Sequence, residues 1–305
     1  MRHLTAISDL SDAHIESLLA RAAEFALVPH RADSALTASS PCVQLLFYED
    51  STRTRTSFES AARRLGYATC LVTASGSSVA KGESLKDTIL TLQASVRPQV
   101  TVLRHPENGA VAQVAHSPWC DTSMVNAGDG TNEHPTQALL DAATLRSHFG
   151  DIAGLKIAIV GDIVRSRVAR SNSALLPRLG AHITYVAPRS LLPEDIDSWP
   201  GDVCHEIDDA LPEVDVVMCL RIQRERMPAG VDVSSAEFTR ALGLTTARAA
   251  RMRAHAMVMH PGPMNRGVEI DSEVADSARS LIVEQVRQGL YTRMAVLESL
   301  VEAGR

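Results

Sequence analysis

The stretch Val43–Gly66, VQLLFYEDSTRTRTSFESAARRLG, carries the change of pattern on which the fold turns. An apolar run ends at Tyr48, a polar turn Ser51-Thr52-Arg53-Thr54-Arg55-Thr56 follows, and an amphipathic helix then runs to Gly66. Ser and Thr at a helix start are ordinary N-caps. Two arginines are not, because the macrodipole places partial positive charge at that end. Their presence implies an anion at the helix N-terminus, held by free N–H groups, hydroxyls and guanidinium, and phosphate fits best. Residues two apart on a helix do not face one ligand. Arg53 is assigned to the phosphate and Arg55 to a structural ion pair.

Outward from this unit, short apolar runs alternate with helical patterns, as in chains that build parallel sheets. Strands are expected at Val43–Tyr48, Thr69–Thr73, Val100–Leu103 and Met124–Asn126, and helices at Thr54–Leu65, Ser84–Ala94, Glu107–Ala115 and Pro135–Phe149. The pattern restarts at Leu155 with LKIAIVGD, a continuous apolar run of the kind a doubly buried strand shows. Strands at Ile183–Ala187, Val214–Leu220 and Ala256–His260 follow, with helices at Ser166–Leu179, Ser235–Leu242, Thr246–Arg253 and Ser272–Ala303. Leu191–Pro200 and Gln223–Ser235 read as surface loops. The fold class is α/β with two domains, each a parallel sheet flanked by helices: 1–134, 150–284 and a connecting helix at 135–149.

The length of 305 residues suits two domains at roughly 150 residues each. With 30 Lys+Arg against 36 Asp+Glu the net charge is −6, which demotes general nucleic-acid binding and means that any anion is held by a local cluster. Five scattered cysteines without a C-x-x-C read as free thiols in a reducing compartment. No signal peptide and no membrane span are expected, so the protein is placed in the cytoplasm, with no membrane partner.

Other strand ends repeat the anion logic. IVGDIVRSRVARS sets Arg165, Arg167 and Arg170 at a helix start, again against the dipole, and the readings are a solvated basic helix face or Arg167 meeting a second anion. Neither G-x-G-x-x-G nor a P-loop is present, which counts against NAD enzymes and NTPases. Ser77 and Lys81 lie in a polar loop before a helix, Arg104 follows a strand, and a glycine-rich turn presents His134 and Gln137 at a helix start. His134 suits a carbonyl-oxygen donor. Arg221 and Gln223 end a strand. The turn Pro261-Gly262-Pro263 has few N–H donors, so its carbonyls suit an NH₂ group. These residues describe a site for a phosphorylated substrate and a second anionic one at strand ends, working by positioning and electrostatics.

The ordered set STRTRTSFE, SSVAKGESLKDT, LRHP, NAGDGTNEHPTQALLD, VGD with Arg167, LRIQRER and HPGPMNRGVEI resembles the catalytic chains of aspartate carbamoyltransferases, over about residues 4–300. The resemblance implies transfer of the carbamoyl group of carbamoyl phosphate to L-aspartate in pyrimidine synthesis. It assigns Ser51, Thr52, Arg53, Thr54, Ser77, Arg104, His134, Gln137, Pro261, Gly262 and Pro263 to carbamoyl phosphate. Arg53, Thr54, Arg104 and His134 are the catalytic set, and Lys81, Arg167, Arg221 and Gln223 bind aspartate. It further implies a homotrimer with shared sites, Ser77 and Lys81 serving a neighbour, and two domains that close over the substrates. A C-terminal helix (about 285–305) returns to the first domain. No cofactor and no metal are expected, and regulatory or dihydroorotase chains are the further partners it allows. An ornithine-type enzyme and a catalytically silent scaffold subunit are the alternatives. The first lacks support, since the S-M-G and H-C-L-P strings of that family are missing. Ala80 and Gly262 depart from some relatives.

Overall fold

Strand β1 (Cys42–Phe47) is apolar almost throughout and buried from Val43 on, the condition for a strand covered on both faces. It lies between β2 (Ala68–Thr73) and β3 (Val100–His105), with β4 (Ser123–Asp129) beyond, all parallel, in the order β2-β1-β3-β4. The connections after β1 and β3 leave in opposite directions, which opens a crevice at their carboxyl ends. The computed structural model describes residues 1–28, 36–37, 39–75, 77–226 and 234–304. The chain divides into one unit of Met1–Ala143 with Val286–Arg305 and a second of Thr144–Gln285.

Around the first sheet stand α1 (Asp12–Leu27), α2 (Thr52–Arg64), α3 (Leu85–Val96) and α4 (Ala110–Ala115), and α5 (Pro135–Phe149) starts in this unit. Leu46, Ile89, Leu103, Val111, Val114 and Met124 pack one core cluster. Truncating a buried Leu such as Leu103 to Ala costs about 2–5 kcal/mol. The cap of α1 is Ser11, whose hydroxyl accepts from the His14 N–H at 3.2 Å. Arg21 on α1 pairs with Glu298 at 2.6 Å, joining the C-terminal helix to this unit.

The second sheet has the order β7-β6-β5-β8-β9, again all parallel. Its strands are β5 (Lys156–Val160), β6 (His182–Val186), β7 (Asp202–Cys204), β8 (Val216–Cys219) and β9 (Met257–Met259). The switch point here falls between β5 and β8. Gly161 sits on it with φ +133, and a Cβ there would lie 2.3 Å from the Leu220 carbonyl oxygen, so only glycine fits. The helices are α6 (Arg167–Leu175), α7 (Ile207–Ala210), α8 (Ser235–Leu242), α9 (Thr246–Ala249) and α10 (Ser272–Ala275), and α11 (Ile282–Ala303) leads back to the first unit.

Several expectations change. Helix α6 stops at Leu175 and a 3-10 turn takes over, because Pro177 lacks an N–H. The single helix expected over Ser272–Ala303 is two. Between them Val258 N–H donates to the Arg279 carbonyl and Leu281 N–H to the Val258 carbonyl, both at 2.8 Å. Pairing with the sheet edge thus prevails over helical periodicity. The helix expected over Thr246–Arg253 ends at Ala249, and Arg253 turns instead to Asp215 at 3.2 Å and the Pro212 carbonyl at 3.0 Å. Strand β7 is too short and too exposed to show in the pattern. Of the expected Gln223–Ser235 loop, residues 227–233 lie outside the described residues, and Gln223 itself is buried. All five cysteines are free thiols. Among the described residues no helix is long and apolar enough to cross a membrane.

Candidate active site

In the first unit the site grows from the ends of β1, β3 and β4. Ser51 caps α2, its Oγ accepting from the Thr54 N–H at 3.3 Å. Thr54 turns inward and is buried, while Arg53 is exposed on the first turn. Arg55 makes no ion pair among the described residues. Its neighbour one turn on, Glu59, is bound by Arg63 at 2.7 Å, so the ion pair expected of Arg55 is absent.

Arg104 lies opposite Phe47 in the β1/β3 register. The β3/β4 register shifts between Leu103 and His105, an irregularity of the kind that re-aims a side chain at a site. The guanidinium donates to the Ala127 carbonyl at 3.1 Å and meets Glu49 at 3.4 Å. Two contacts thus fix its position.

The turn after β4 delivers His134. Asp129, wholly buried, accepts from the Gly109 N–H at 2.7 Å, the Glu133 N–H at 3.0 Å and the Asn126 amide at 2.8 Å. Gly130 is required, since its φ is +47 and a Cβ would overlap Asn108. His134 is 4% exposed, and its Nε2 lies 3.4 Å from Thr54 Oγ1. Gln137, one turn into α5, donates to Asp141 at 2.9 Å. The structure therefore brings Ser51, Thr54 and His134 into one hydrogen-bonded group, with Arg104 at the neighbouring strand end. Ser77 and Lys81 belong instead to the end of the edge strand β2, on a 3-10 turn. There Ser77 Oγ donates to the Ala74 carbonyl at 3.1 Å and Lys81 is exposed.

In the second unit Asp162 follows β5 and is 0% exposed. It accepts from the Gln223 N–H at 3.1 Å and pairs with Arg165 at 3.0 Å. Burial lifts its carboxyl above the usual range, against the pull of these two donors. Ser166 caps α6, accepting from the Ala169 N–H at 3.1 Å, and Arg167 opens the helix with 5% exposure. Gln223 Nε2 donates to the Arg165 carbonyl at 2.8 Å, and its Oε1 accepts from Arg226 at 2.6 Å. The second Nε2 hydrogen is what this amide can offer a ligand. Arg221, with Ile222, Arg224, Ser235, Asn265 and Val268, lines a cavity of about 360 Å³.

The turn after β9 is braced by its own histidine. His260 Nδ1 accepts from the Gly262 N–H at 2.8 Å, so Nε2 carries the proton and donates to Glu269 at 3.1 Å. The Gly262 N–H is thereby engaged and Pro261 and Pro263 have none, which leaves carbonyls as the groups the turn presents. Among the described residues no cluster of His, Cys, Asp or Glu suited to a metal ion occurs. Sequence reasoning missed Glu49, Asp129, Asp162 and Arg226. Only the repeated Gly-Asp pairs, GDG and VGD, hinted at two of them.

Comparison with known proteins bears on both halves. Residues 2–147 match the family model for the aspartate/ornithine carbamoyltransferase carbamoyl-P binding domain, and 153–300 that for the Asp/Orn binding domain. The chain is 53% identical over 305 residues to an aspartate carbamoyltransferase catalytic subunit of Acidothermus cellulolyticus, covering 100% of this chain and 94% of the relative. It superposes with TM-score 0.83 on the Trypanosoma cruzi aspartate transcarbamoylase in complex with carbamoyl phosphate and aspartate, at 30% identity, covering 98% and 96%. A catalytic subunit of M. jannaschii aspartate transcarbamoylase gives TM-score 0.84 at 33% identity, covering 99% of both chains.

Proposed function

We propose, from the premise that this chain belongs to the aspartate/ornithine carbamoyltransferase family, a division of labour between its two switch points. The protein is an aspartate carbamoyltransferase: it transfers the carbamoyl group of carbamoyl phosphate to the amine of L-aspartate, giving N-carbamoyl-L-aspartate and phosphate. The step belongs to pyrimidine synthesis.

The first unit takes carbamoyl phosphate. Ser51, Thr52, Arg53 and Thr54, with the free N–H groups of the α2 start, hold the phosphoryl oxygens. Arg104 bridges phosphate and carbonyl oxygen, and Gln137 takes the NH₂ group. The second unit takes aspartate, Arg167 and Arg221 facing its carboxylates and Gln223 adding an amide donor. Two guanidinium groups disfavour the cationic side chain of ornithine.

In the reaction the uncharged amine attacks the carbamoyl carbon, a C–N bond forms, and the C–O bond to phosphate breaks. Thr54, Arg104 and His134 donate to the developing oxyanion. Arg53 offsets the charge on the leaving phosphate, which accepts the proton that the amine sheds. Binding supplies the orientation.

The single observation that carries this reading is the buried Thr54–His134 contact, 3.4 Å, at the β1/β3 crevice, with Arg104 at the end of β3. A hydroxyl, an imidazole and a guanidinium gathered there make an oxyanion site beside an anion-binding helix end. A homotrimer follows as part of the proposal, with Ser77 and Lys81 serving a neighbouring site in the cytoplasm. Its support is an exposed Lys81 on the turn that leaves an edge strand with Leu71 43% exposed.

The test is ureido-product formation from carbamoyl phosphate, with L-aspartate and L-ornithine offered in parallel. Product with aspartate alone is expected. Product with ornithine contradicts the reading of the Arg167 and Arg221 pocket, and no product with either favours the scaffold alternative.

A further inference from the structure

Gln137 is 7% exposed, and one turn further along α5 stands Asp141, 0% exposed. The Gln137 Nε2 donates to Asp141 Oδ1 at 2.9 Å. An ionised carboxylate only accepts, so the amide is held with its nitrogen toward Asp141 and its Oε1 on the other branch. A carboxylate this deeply buried requires a counter-charge. Arg293 of α11, itself 3% exposed, is the buried cation whose charge Asp141 favours. Burial pulls its ionisation down to about 10 while Asp141 acts in the opposite direction, so the guanidinium is charged at neutral pH. It donates to Ser57 Oγ at 3.0 Å and to the Gly289 carbonyl at 3.3 Å, and lies 5.1 Å from the centre of the Phe58 ring. Ser57 and Phe58 are on α2, the helix whose first turn is Ser51–Thr54.

Arg293 thus joins the phosphate helix to the returning C-terminal helix, and the Gln137–Asp141 bond lies within α5. The bland role of such groups is to hold helices together. Buried charges stabilise little compared with an apolar core of the same volume, and here the carboxylate is engaged by the Gln137 amide. We infer that Asp141 is a positioning residue for recognition of the carbamoyl NH₂. Asp141 fixes the Gln137 amide in the orientation that offers Oε1 as acceptor. The inference rests on carbamoyl phosphate being the donor.

The probe is acetyl phosphate, which carries a methyl group where carbamoyl phosphate carries NH₂. Competition of each against product formation gives the preference for carbamoyl over acetyl phosphate, and calorimetry gives the affinity for inorganic phosphate. In Asp141→Asn the new amide both donates and accepts, so Gln137 is free to turn over. The preference is expected to fall about tenfold, with phosphate affinity within about twofold of wild type. Should Asp141→Asn fail to fold, Asp141→Glu carries the test, since it keeps the carboxylate but moves it out of register with the Gln137 amide. In a Gln137→Ala background the Asp141→Asn change is expected to leave the preference unaltered. An unchanged preference in folded Asp141→Asn protein, or an equal loss of phosphate affinity, overturns the positioning role. So does a further loss in the Gln137→Ala background. A wild-type protein that does not distinguish the two acyl phosphates overturns the donor assignment itself, and the inference with it.

Discussion

At the β1/β3 crevice the groups are cations and hydroxyls, with Glu49 beside Arg104, set on a helix end that already favours an anion. At the β5/β8 crevice the centre is a buried carboxylate, Asp162, and the cations are arranged around it. The first half-site is built by local chain geometry: Ser51 caps, Thr54 follows, and the macrodipole adds its own partial charge. The second is built by cross-linking of loops, Gln223 and Arg226 both reaching the Arg165 carbonyl and Asp162 taking the Gln223 N–H. On the proposed reading a compact, multiply charged phosphoryl group meets the short donors of the α2 start. On the same reading the longer dicarboxylate meets the Arg167 and Arg221 guanidinium groups, on loops braced through Asp162 and Gln223.

If this contrast is right, the two half-sites fail differently. Arg53→Ala should give the largest loss, about 10³-fold in kcat, because it removes charge stabilisation from the transition state. Initial rates at saturating substrates check it. Asp162→Asn should lower kcat/KM for aspartate about 100-fold, through loss of two charge-assisted contacts. Carbamoyl phosphate binding, followed by calorimetry, should change far less. An equal effect on both ligands would erase the distinction between the crevices.

Mixing inactive Lys81→Ala and Arg53→Ala chains sharpens the comparison by asking which chain completes a site. Purified hybrid trimers should regain part of the wild-type rate, and verified hybrids that stay inactive would mean that each site is self-contained.

The smallest effect concerns acid stability. Hydrogen bonds from Arg248 and Arg266 hold Asp208 and Asp276 below the usual carboxylate range. Their contributions are complete above the unfolded value of about 3.9 and are lost as pH falls through the lower folded values. Asp162 works with the opposite sign: burial raises it, so the penalty for its charge is relieved as pH falls through its raised folded value. Arg266→Ala should therefore move the acid-unfolding midpoint slightly to higher pH, as followed by circular dichroism.

Much of the first crevice is legible in the residues themselves, because caps, helix starts and misplaced arginines are local signals. Ser51, Thr54 and the strand before them follow from such signals. The second crevice is less so. Nothing in VGDIVRSR says that Asp162 receives the Gln223 N–H from 61 residues away, since that depends on β5 and β8 being neighbours. The same holds for Asp141 and Arg293, which sit among ordinary helix residues in the sequence. The break in the helix expected over Ser272–Ala303 was equally hidden, because it depends on Val258 having an edge to share. Gly130 and Gly161 were visible as glycines, though not the close approaches that require them.

The central claim is that the two crevices read different substrates. It is tested most directly by calorimetric titration of carbamoyl phosphate into folded Arg221→Ala protein, beside the KM of that variant for aspartate. The prediction is a carbamoyl phosphate affinity within about twofold of wild type and an aspartate KM raised about tenfold or more. Equal losses for both ligands would contradict it.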